Sequence, residues 1–270
     1  MNIKGVVFDW AGTIVDFGSL APMGAFVELF ARHEVTISIE QARIPMGLPK
    51  LEHIRQLGAM PAVAMQWHQR HGRVFADSDA HSLLQEFEPM SAESALARCD
   101  FIPGLLETQA WLRKNGIRIA TTTGYTRRIM TPIIDQAKLR GFSAERVVCC
   151  DDVSHSRPDP MGMELCMQTL DLQGQAERVV KVDDTEPGLA EGRHAGCWTV
   201  GVAASGNALG WSMEQWLQAS KNEQNEALHH ATAVLKRAGA DEVIPTVAEL
   251  PQALLQIDLR MARGERPIRP

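Results

Sequence analysis

Five short apolar runs, each stopped by a polar residue or a glycine, constrain this chain more than any other feature. They are Gly5-Val6-Val7-Phe8, Ile117 to Ala120, Arg146 to Cys149, Val179 to Val182 and Trp198 to Val202. Their apolar character is nearly continuous rather than alternating, which suits strands covered on both faces. Helix-period stretches lie between them: Leu105 to Asn115, Met161 to Leu170, and Pro187 to Ala195, the last followed by Gly196 in a position that suits a C-cap. Strands alternating with helices predict a parallel α/β sheet. A chain of 270 residues with 45% hydrophobic residues is long and apolar enough to bury a sizeable core.

The stretch from Leu20 to Cys99 breaks the alternation. It reads as consecutive helices, Ala21 to Arg32, Ile39 to Arg43, Leu48 to Leu57, Pro61 to Ala76, Ala80 to Glu88 and Ala92 to Arg98, with no convincing strand. The expected division is therefore a core of residues 1–19 and 100–270 with a helical cap, residues 20–99, inserted after the first strand. Asp100-Phe101-Ile102-Pro103-Gly104 is the turn back into the core. Residues beyond about Gly210 carry no recognisable pattern, and the basic, proline-containing end from Arg260 to Pro270 reads as a mobile tail.

Net charge is -6 with no long basic run, which argues against a nucleic-acid partner. No run of 18 apolar residues predicts a membrane span, and the N-terminus has no secretory-signal pattern. Of the five cysteines, Cys99, Cys149, Cys150, Cys166 and Cys197, none forms a CxxC pair, and four sit in apolar surroundings. They read as reduced core thiols, and the expected compartment is the cytoplasm.

Open parallel sheets bind ligands beyond the carboxyl ends of their strands. Here those ends deliver Asp9 to Thr13, then Thr121-Thr122-Thr123-Gly124, then Asp151 and Asp152 with Arg157 a few residues on, then Asp183 and Asp184. A carboxylate such as Asp9 can attack phosphorus to form an acyl phosphate that water hydrolyses. A cation must offset the repulsion between two anions, and Asp183 and Asp184 supply the hard oxygens that magnesium prefers. Thr123 and the Gly124 amide can bond phosphoryl oxygens, and Arg157 can neutralise transition-state charge. Singly, Asp9 and Thr123 also fit turns, and Asp183 or Asp184 a helix N-cap before Pro187; together, in this order, they favour a site. Asp151 and Asp152 read as loop residues.

The motifs Asp9-Trp10-Ala11-Gly12-Thr13, Thr123-Gly124, Arg157-Pro158 and Asp183-Asp184 together resemble the haloacid dehalogenase superfamily. That resemblance implies a Rossmann-like parallel core with an inserted cap, Asp9 as nucleophile, and Mg2+ held by Asp9, the Ala11 carbonyl, Asp184 and Asp183. Some members carry an acid four residues after the metal-binding aspartate, where this chain has Gly188.

Phosphatases of the superfamily usually place a second aspartate where this chain has Ala11. Its absence removes general-acid help to an ester leaving group, worth ~10²–10⁴ in rate. Carbon–phosphorus cleavage needs instead an electron sink beside the leaving carbon, and a lysine imine provides one. Lys50 follows Pro49 at the start of a helix, where the positive dipole end disfavours an ammonium and burial lowers its pKa further. His53, three residues on, shares its helix face and can shuttle protons. The blocks Phe8 to Thr13, Pro45-Met46-Gly47-Leu48-Pro49-Lys50 and Thr122 to Thr126 resemble the phosphonoacetaldehyde hydrolase (phosphonatase) family. This resemblance implies that Lys50 forms the imine, that Met46 and His53 lie near it, that the substrate is a small phosphonate, and that the protein is a homodimer. The alternatives are a superfamily phosphatase acting on a small phosphate ester, a dehalogenase, and a catalytically silent phosphate-binding protein.

Overall fold

A computed structural model describes residues 1–268 of the chain. Strands β1 (Gly5–Phe8), β2 (Arg118–Thr122), β3 (Arg146–Val148), β4 (Val179–Asp183), β5 (Trp198–Val202) and β6 (Glu242–Ile244) form one sheet in the order β3-β2-β1-β4-β5-β6. Every pairing is parallel. The predicted α/β fold is present, and all residues of β1, β4 and β5 are buried, as their largely apolar runs lead one to expect. The chain runs from β1 out to β2 and β3 on one side and then crosses back to β4, β5 and β6 on the other, so the crevice of this strand order opens beyond the ends of β1 and β4.

Five helices occupy the stretch between β1 and β2 that lacked a strand pattern: α1 (Ala21–Arg32), α2 (Ile39–Arg43), α3 (Lys50–Ala59), α4 (Pro61–His71) and α5 (Asp77–Ala97). They enclose an apolar cluster of their own, with Phe26, Phe30, Ile54, Trp67 and Phe87 at its centre. The sheet has a separate cluster that includes Phe8, Trp10, Val182, Trp198 and Leu254.

Two differences from the sequence reading have plain causes. The helices expected on either side of Pro89 are one helix, α5. An interior proline costs about 3 kcal/mol, but Phe87 is buried in the insert's cluster and Ala95 in the sheet's cluster, so packing holds the helix on both sides of the proline. Helix α4 stops at His71 rather than Ala76, because Gly72 takes a left-handed conformation (φ 67°) and caps it.

The remaining helices are α6 (Leu105–Lys114), α7 (Arg127–Leu139), α8 (Met161–Thr169), α9 (Glu186–His194), α10 (Met213–Gln218), α11 (Lys221–Arg237) and α12 (Leu250–Ala262). The expected mobile tail is corrected. Arg260 belongs to α12, lies 4.7 Å from the Trp198 ring centre, and pairs with Glu242 at 2.8 Å and Glu265 at 2.9 Å. The Ile268 N–H donates to Asp241 at 3.0 Å. Residues 269–270, the end of that tail, lie outside the described residues. Among the described residues no helix is long and apolar enough to cross a membrane, and the five cysteines are all free.

Candidate active site

Three carboxylates meet in the crevice. Asp9 directly follows β1, Asp183 ends β4 and Asp184 is next; all are buried, and each offers an oxygen within 4.8 Å of the others. The adjacent pair divides its work. Asp183 Oδ1 accepts from the Thr185 N–H at 3.0 Å and the Thr185 hydroxyl at 2.7 Å, while its Oδ2 lies 3.1 Å from Lys181 Nζ and 3.3 Å from Arg157 Nη2. Asp184 Oδ2 accepts from the Asn207 N–H at 2.7 Å, whereas its Oδ1 is buried without any protein partner.

The electrostatics follow this division. Burial raises the pKa of Asp9 to about 6, and the neighbouring Asp183 charge adds to the effect. Asp184 is pushed well up by burial and by Asp9. Burial acts on Asp183 in the same sense, but Arg157, Lys181 and the Thr185 hydroxyl outweigh it and hold that carboxyl below its usual range. Two buried, mutually repelling carboxylates and one orphaned oxygen fit a hard divalent cation, which would supply the missing positive charge. The family position occupied here by Gly188 has a steric explanation: a Cβ there would lie 2.0 Å from Asp183 Oδ2.

Arg157 is the cationic hub. Its Nη1 lies 2.8 Å from Asp9 Oδ1, its Nη2 donates to the Thr122 carbonyl and hydroxyl oxygens at 2.8 Å each, and its Nε donates to Glu191 at 3.1 Å. Lys181, inside β4, reaches Thr122 Oγ1 at 2.5 Å and Glu191 at 3.1 Å. The Thr122 hydroxyl itself donates to Glu191 at 2.8 Å. Sequence reasoning missed Lys181, Glu191 and Thr122 as members of the site. A signal existed: Lys181 interrupts an otherwise apolar run, and a charge on a strand covered from both sides needs a buried partner.

The insert supplies the opposite wall. Lys50 is the first residue of α3, with Pro49 at the cap position rather than inside the helix. Its Nζ lies 4.7 Å from the Tyr125 ring centre and 5.7 Å from that of Phe26. Burial lowers its pKa to about 8, against a partial opposing pull from Cys150 and Asp9. His53 is fully buried and stacked on Phe26 at 3.9 Å, and its Nε2 sits 2.9 Å from the Ala42 carbonyl oxygen. That contact assigns the proton to Nε2 and leaves Nδ1 as an unpartnered acceptor. Burial, then the Lys50 charge, hold His53 well below its ordinary pKa, so it is neutral.

Asp9, Ala11, Met46, Lys50, Thr123, Gly124, Arg157 and Asp184 line one cavity, as do Ser19, Tyr125 and Thr185. Asp183 and His53 stand behind this lining. The cavity holds about 20 Å³, roughly the space of one water. The helical insert thus packs closely over the end of the sheet at this point. Thr123 Oγ1 accepts from the Tyr125 N–H at 3.2 Å, which leaves its hydroxyl proton free to donate. Asp151 and Asp152 serve the loop instead: Asp151 accepts the first N–H of α7, and Asp152 accepts the Cys149 N–H at 2.8 Å and pairs with Arg127.

The family model for haloacid dehalogenase-like hydrolases matches residues 3–196. A protein named phosphonoacetaldehyde hydrolase from Paraburkholderia phytofirmans is 43% identical over 266 residues, covering 98% of this chain and 99% of that one. Another of that name from Bordetella pertussis is 41% identical, covering 99% and 96%. The crystal structure of a phosphonoacetaldehyde hydrolase-like protein from Oleispira antarctica superposes with a TM-score of 0.97 at 37% identity, over 99% of this chain and 96% of that one. The similarity thus continues past Gly210, where the sequence reading saw none.

Proposed function

Because this chain belongs to the haloacid dehalogenase-like hydrolase family, we propose that it hydrolyses the carbon–phosphorus bond of phosphonoacetaldehyde to acetaldehyde and phosphate. The observation that carries this reading is a buried lysine of lowered pKa, Lys50, lining the same cavity as Asp9, at a site where Ala11 cannot act as an acid. The names of the full-length relatives support it.

In this mechanism the neutral Lys50 amine attacks the aldehyde carbon, and loss of water gives a protonated imine. His53 Nδ1, fixed as an acceptor by the bond from Nε2 to Ala42, relays protons during that step. An Asp9 oxygen then attacks phosphorus. The electron pair of the breaking carbon–phosphorus bond moves onto the imine, leaving an enamine on Lys50 and an acyl phosphate on Asp9. Protonation of the enamine carbon and hydrolysis release acetaldehyde and the free amine. Water hydrolyses the acyl phosphate. Thr123, the Gly124 amide and Arg157 hold the phosphoryl oxygens, and Met46 packs beside the aldehyde end.

Asp9, the Ala11 carbonyl and Asp184 would hold Mg2+, with Asp183 supporting them from behind through Arg157 and Lys181. When bound, the cation offsets the charge between the Asp9 carboxylate and the phosphonate oxygens. Residues 20–99 are read as the cap that lifts for entry and release. The family resemblance supports a homodimer, which sedimentation would report, and the free thiols support a cytoplasmic setting.

The test is product formation from phosphonoacetaldehyde with and without Mg2+, combined with borohydride reduction under turnover. Mass spectrometry should find a two-carbon adduct on Lys50. Turnover that leaves Lys50 unmodified overturns the imine. Hydrolysis of simple phosphate esters, undiminished by Lys50→Ala, would favour the phosphatase alternative.

A further inference from the structure

Arg43 closes α2 on the insert, yet all three of its side-chain bonds go to the core side. Nη1 donates to the Gly18 carbonyl and to Asn207 Oδ1, each at 3.0 Å, and Nη2 donates to the Gly210 carbonyl at 3.1 Å. Among the described residues no carboxylate forms an ion pair with it. A half-buried guanidinium bonded only to neutral acceptors is placed by geometry, while the charges of Asp184 and Asp16 act on it from beyond hydrogen-bond distance. The fit is close: a Cβ on Gly210 would lie 2.5 Å from Arg43 Cζ.

The same Asn207 reaches the carboxylate site. Its backbone N–H donates to Asp184 Oδ2 at 2.7 Å, the bond that leaves Asp184 Oδ1 turned free. The loop is wrapped tightly here, since a Cβ on Gly206 would lie 2.6 Å from Asp184 Cβ. The Ser205 hydroxyl also anchors it to the Gly12 carbonyl at 2.7 Å. One residue, Asn207, is thus gripped from the insert through its side chain and grips Asp184 through its backbone.

We propose that Arg43 is a positioning residue that couples closure of the helical insert to the posture of Asp184, so that a closed insert binds the divalent cation more tightly than an open one. The proposal rests on the reading of Asp184 as a cation ligand. Coupling of this kind is reciprocal: if closure favours the cation, the cation favours closure by the same factor. When the insert lifts, Arg43 leaves Asn207, and the loop holding Asp184 loses its outer clamp. The ion site is then weakest when product leaves and firmest when substrate is enclosed.

The experiment titrates Mg2+ alone calorimetrically into the full-length protein as wild type, Arg43→Ala, Asn207→Ala, the double variant and Asp184→Asn, with melting temperatures recorded for each. Amide exchange of residues 206–210 is followed with and without Mg2+. Asp184→Asn should abolish the binding isotherm. Arg43→Ala and Asn207→Ala should each raise the dissociation constant about 5-fold or more, and the double variant should match either single one. In the wild type Mg2+ should slow exchange of residues 206–210, an effect lost in both single variants. Asn207→Ala keeps the N–H that holds Asp184, so it tests the link even if Arg43→Ala folds poorly. If Asp184→Asn binds Mg2+ like the wild type, the ligand assignment falls and this proposal with it. If Asp184→Asn loses Mg2+ while Asn207→Ala binds it unchanged, or if the two losses simply add, the coupling is refuted and the ligand assignment stands.

Discussion

The Lys50 ammonium nitrogen lies 4.7 Å from the centre of the Tyr125 ring, the lysine carried by the helical insert and the tyrosine by the loop after β2. An aromatic face favours the charged amine by roughly 0.5–2 kcal/mol, and Cys150 and Asp9 pull the same way, yet burial wins and the pKa falls to about 8. At pH 7 about a tenth of the amine is then neutral, against roughly three parts in ten thousand for an unperturbed lysine.

The lowered pKa sets the pH dependence of imine capture. The folded protein favours the neutral form, so capture rises with pH and levels off above about 8. The rate of borohydride trapping on Lys50, measured from pH 6 to 10, checks this. An acid limb near the ordinary lysine value would mean that water reaches the amine and that burial does not control it. Tyr125→Phe keeps the ring and should leave the limb in place.

Asp184→Asn should have opposite effects on stability with and without the cation. In the metal-free protein burial and the Asp9 charge oppose ionisation of Asp184, and one of its oxygens is unpartnered, so replacing it removes a cost that grows as pH rises above the ordinary carboxylate range. The variant should therefore melt above the wild type in EDTA. In millimolar Mg2+ the order should reverse, because only the wild type gains binding energy. Thermal denaturation of both proteins under both conditions decides it; a variant that melts lower in EDTA would mean that the carboxylate is stabilising without metal.

Glu191 accepts from Arg157, Lys181 and Thr122 without touching the cavity. Glu191→Gln weakens the charged hydrogen bonds to Arg157 and Lys181, which keep Asp183 and, for Arg157, Asp9 as counter-charges, a loss of about 1.5–3 kcal/mol. Arg157 then shifts from Asp9, and phosphoryl transfer slows while imine formation on Lys50 continues. Phosphate release should drop while borohydride trapping persists; equal loss of both would make Glu191 a general structural residue.

How far the sequence revealed this site depended on whether each residue's role is local. Asp9, Thr123 and Asp184 announce themselves because strand ends of a parallel sheet point at the crevice, and the runs before them mark those ends. The helical insert was readable from the same contrast, a long stretch with helical spacing and no strand. Lys181 and Glu191 were hidden, since their meaning lies in a partner from another element. Strand β6 was hidden because its Glu242-Val243-Ile244 holds only two consecutive apolar residues before Pro245, too few to stand out. Arg260 looked like part of a loose basic tail because its anchors, Trp198 and Glu242, are distant or only then given structure. Asp183 and Asp184 were indistinguishable as letters; only the bonds from Thr185, Lys181 and Arg157 turn one of them away from the cavity.

Two glycines lie at the seam between the insert and the sheet, Gly124 against the Leu48 and Gly47 carbonyl oxygens and Gly47 against the Thr185 side chain. A Cβ on Gly124 would lie 2.8 Å from the Leu48 carbonyl oxygen, and one on Gly47 would lie 2.3 Å from Thr185 Oγ1. Gly47 also has φ 90°, so its replacement adds backbone strain, whereas Gly124 has no such conformation and isolates the steric effect. Gly124→Ala should therefore prop the insert open and carry Lys50 away from Asp9. Misplacement of about 1 Å at a reacting centre can cost ~10²-fold, so kcat/KM for phosphonoacetaldehyde should fall by at least about 10-fold. Imine trapping should fall in step and Mg2+ should bind less tightly, as it does when the insert opens, while the melting temperature changes little. Steady-state kinetics of Gly124→Ala beside the trapping assay test this. Unchanged kcat/KM would show that the loop carrying Leu48 yields without moving Lys50, and that contact between these backbones does not govern how the lysine reaches the carboxylate.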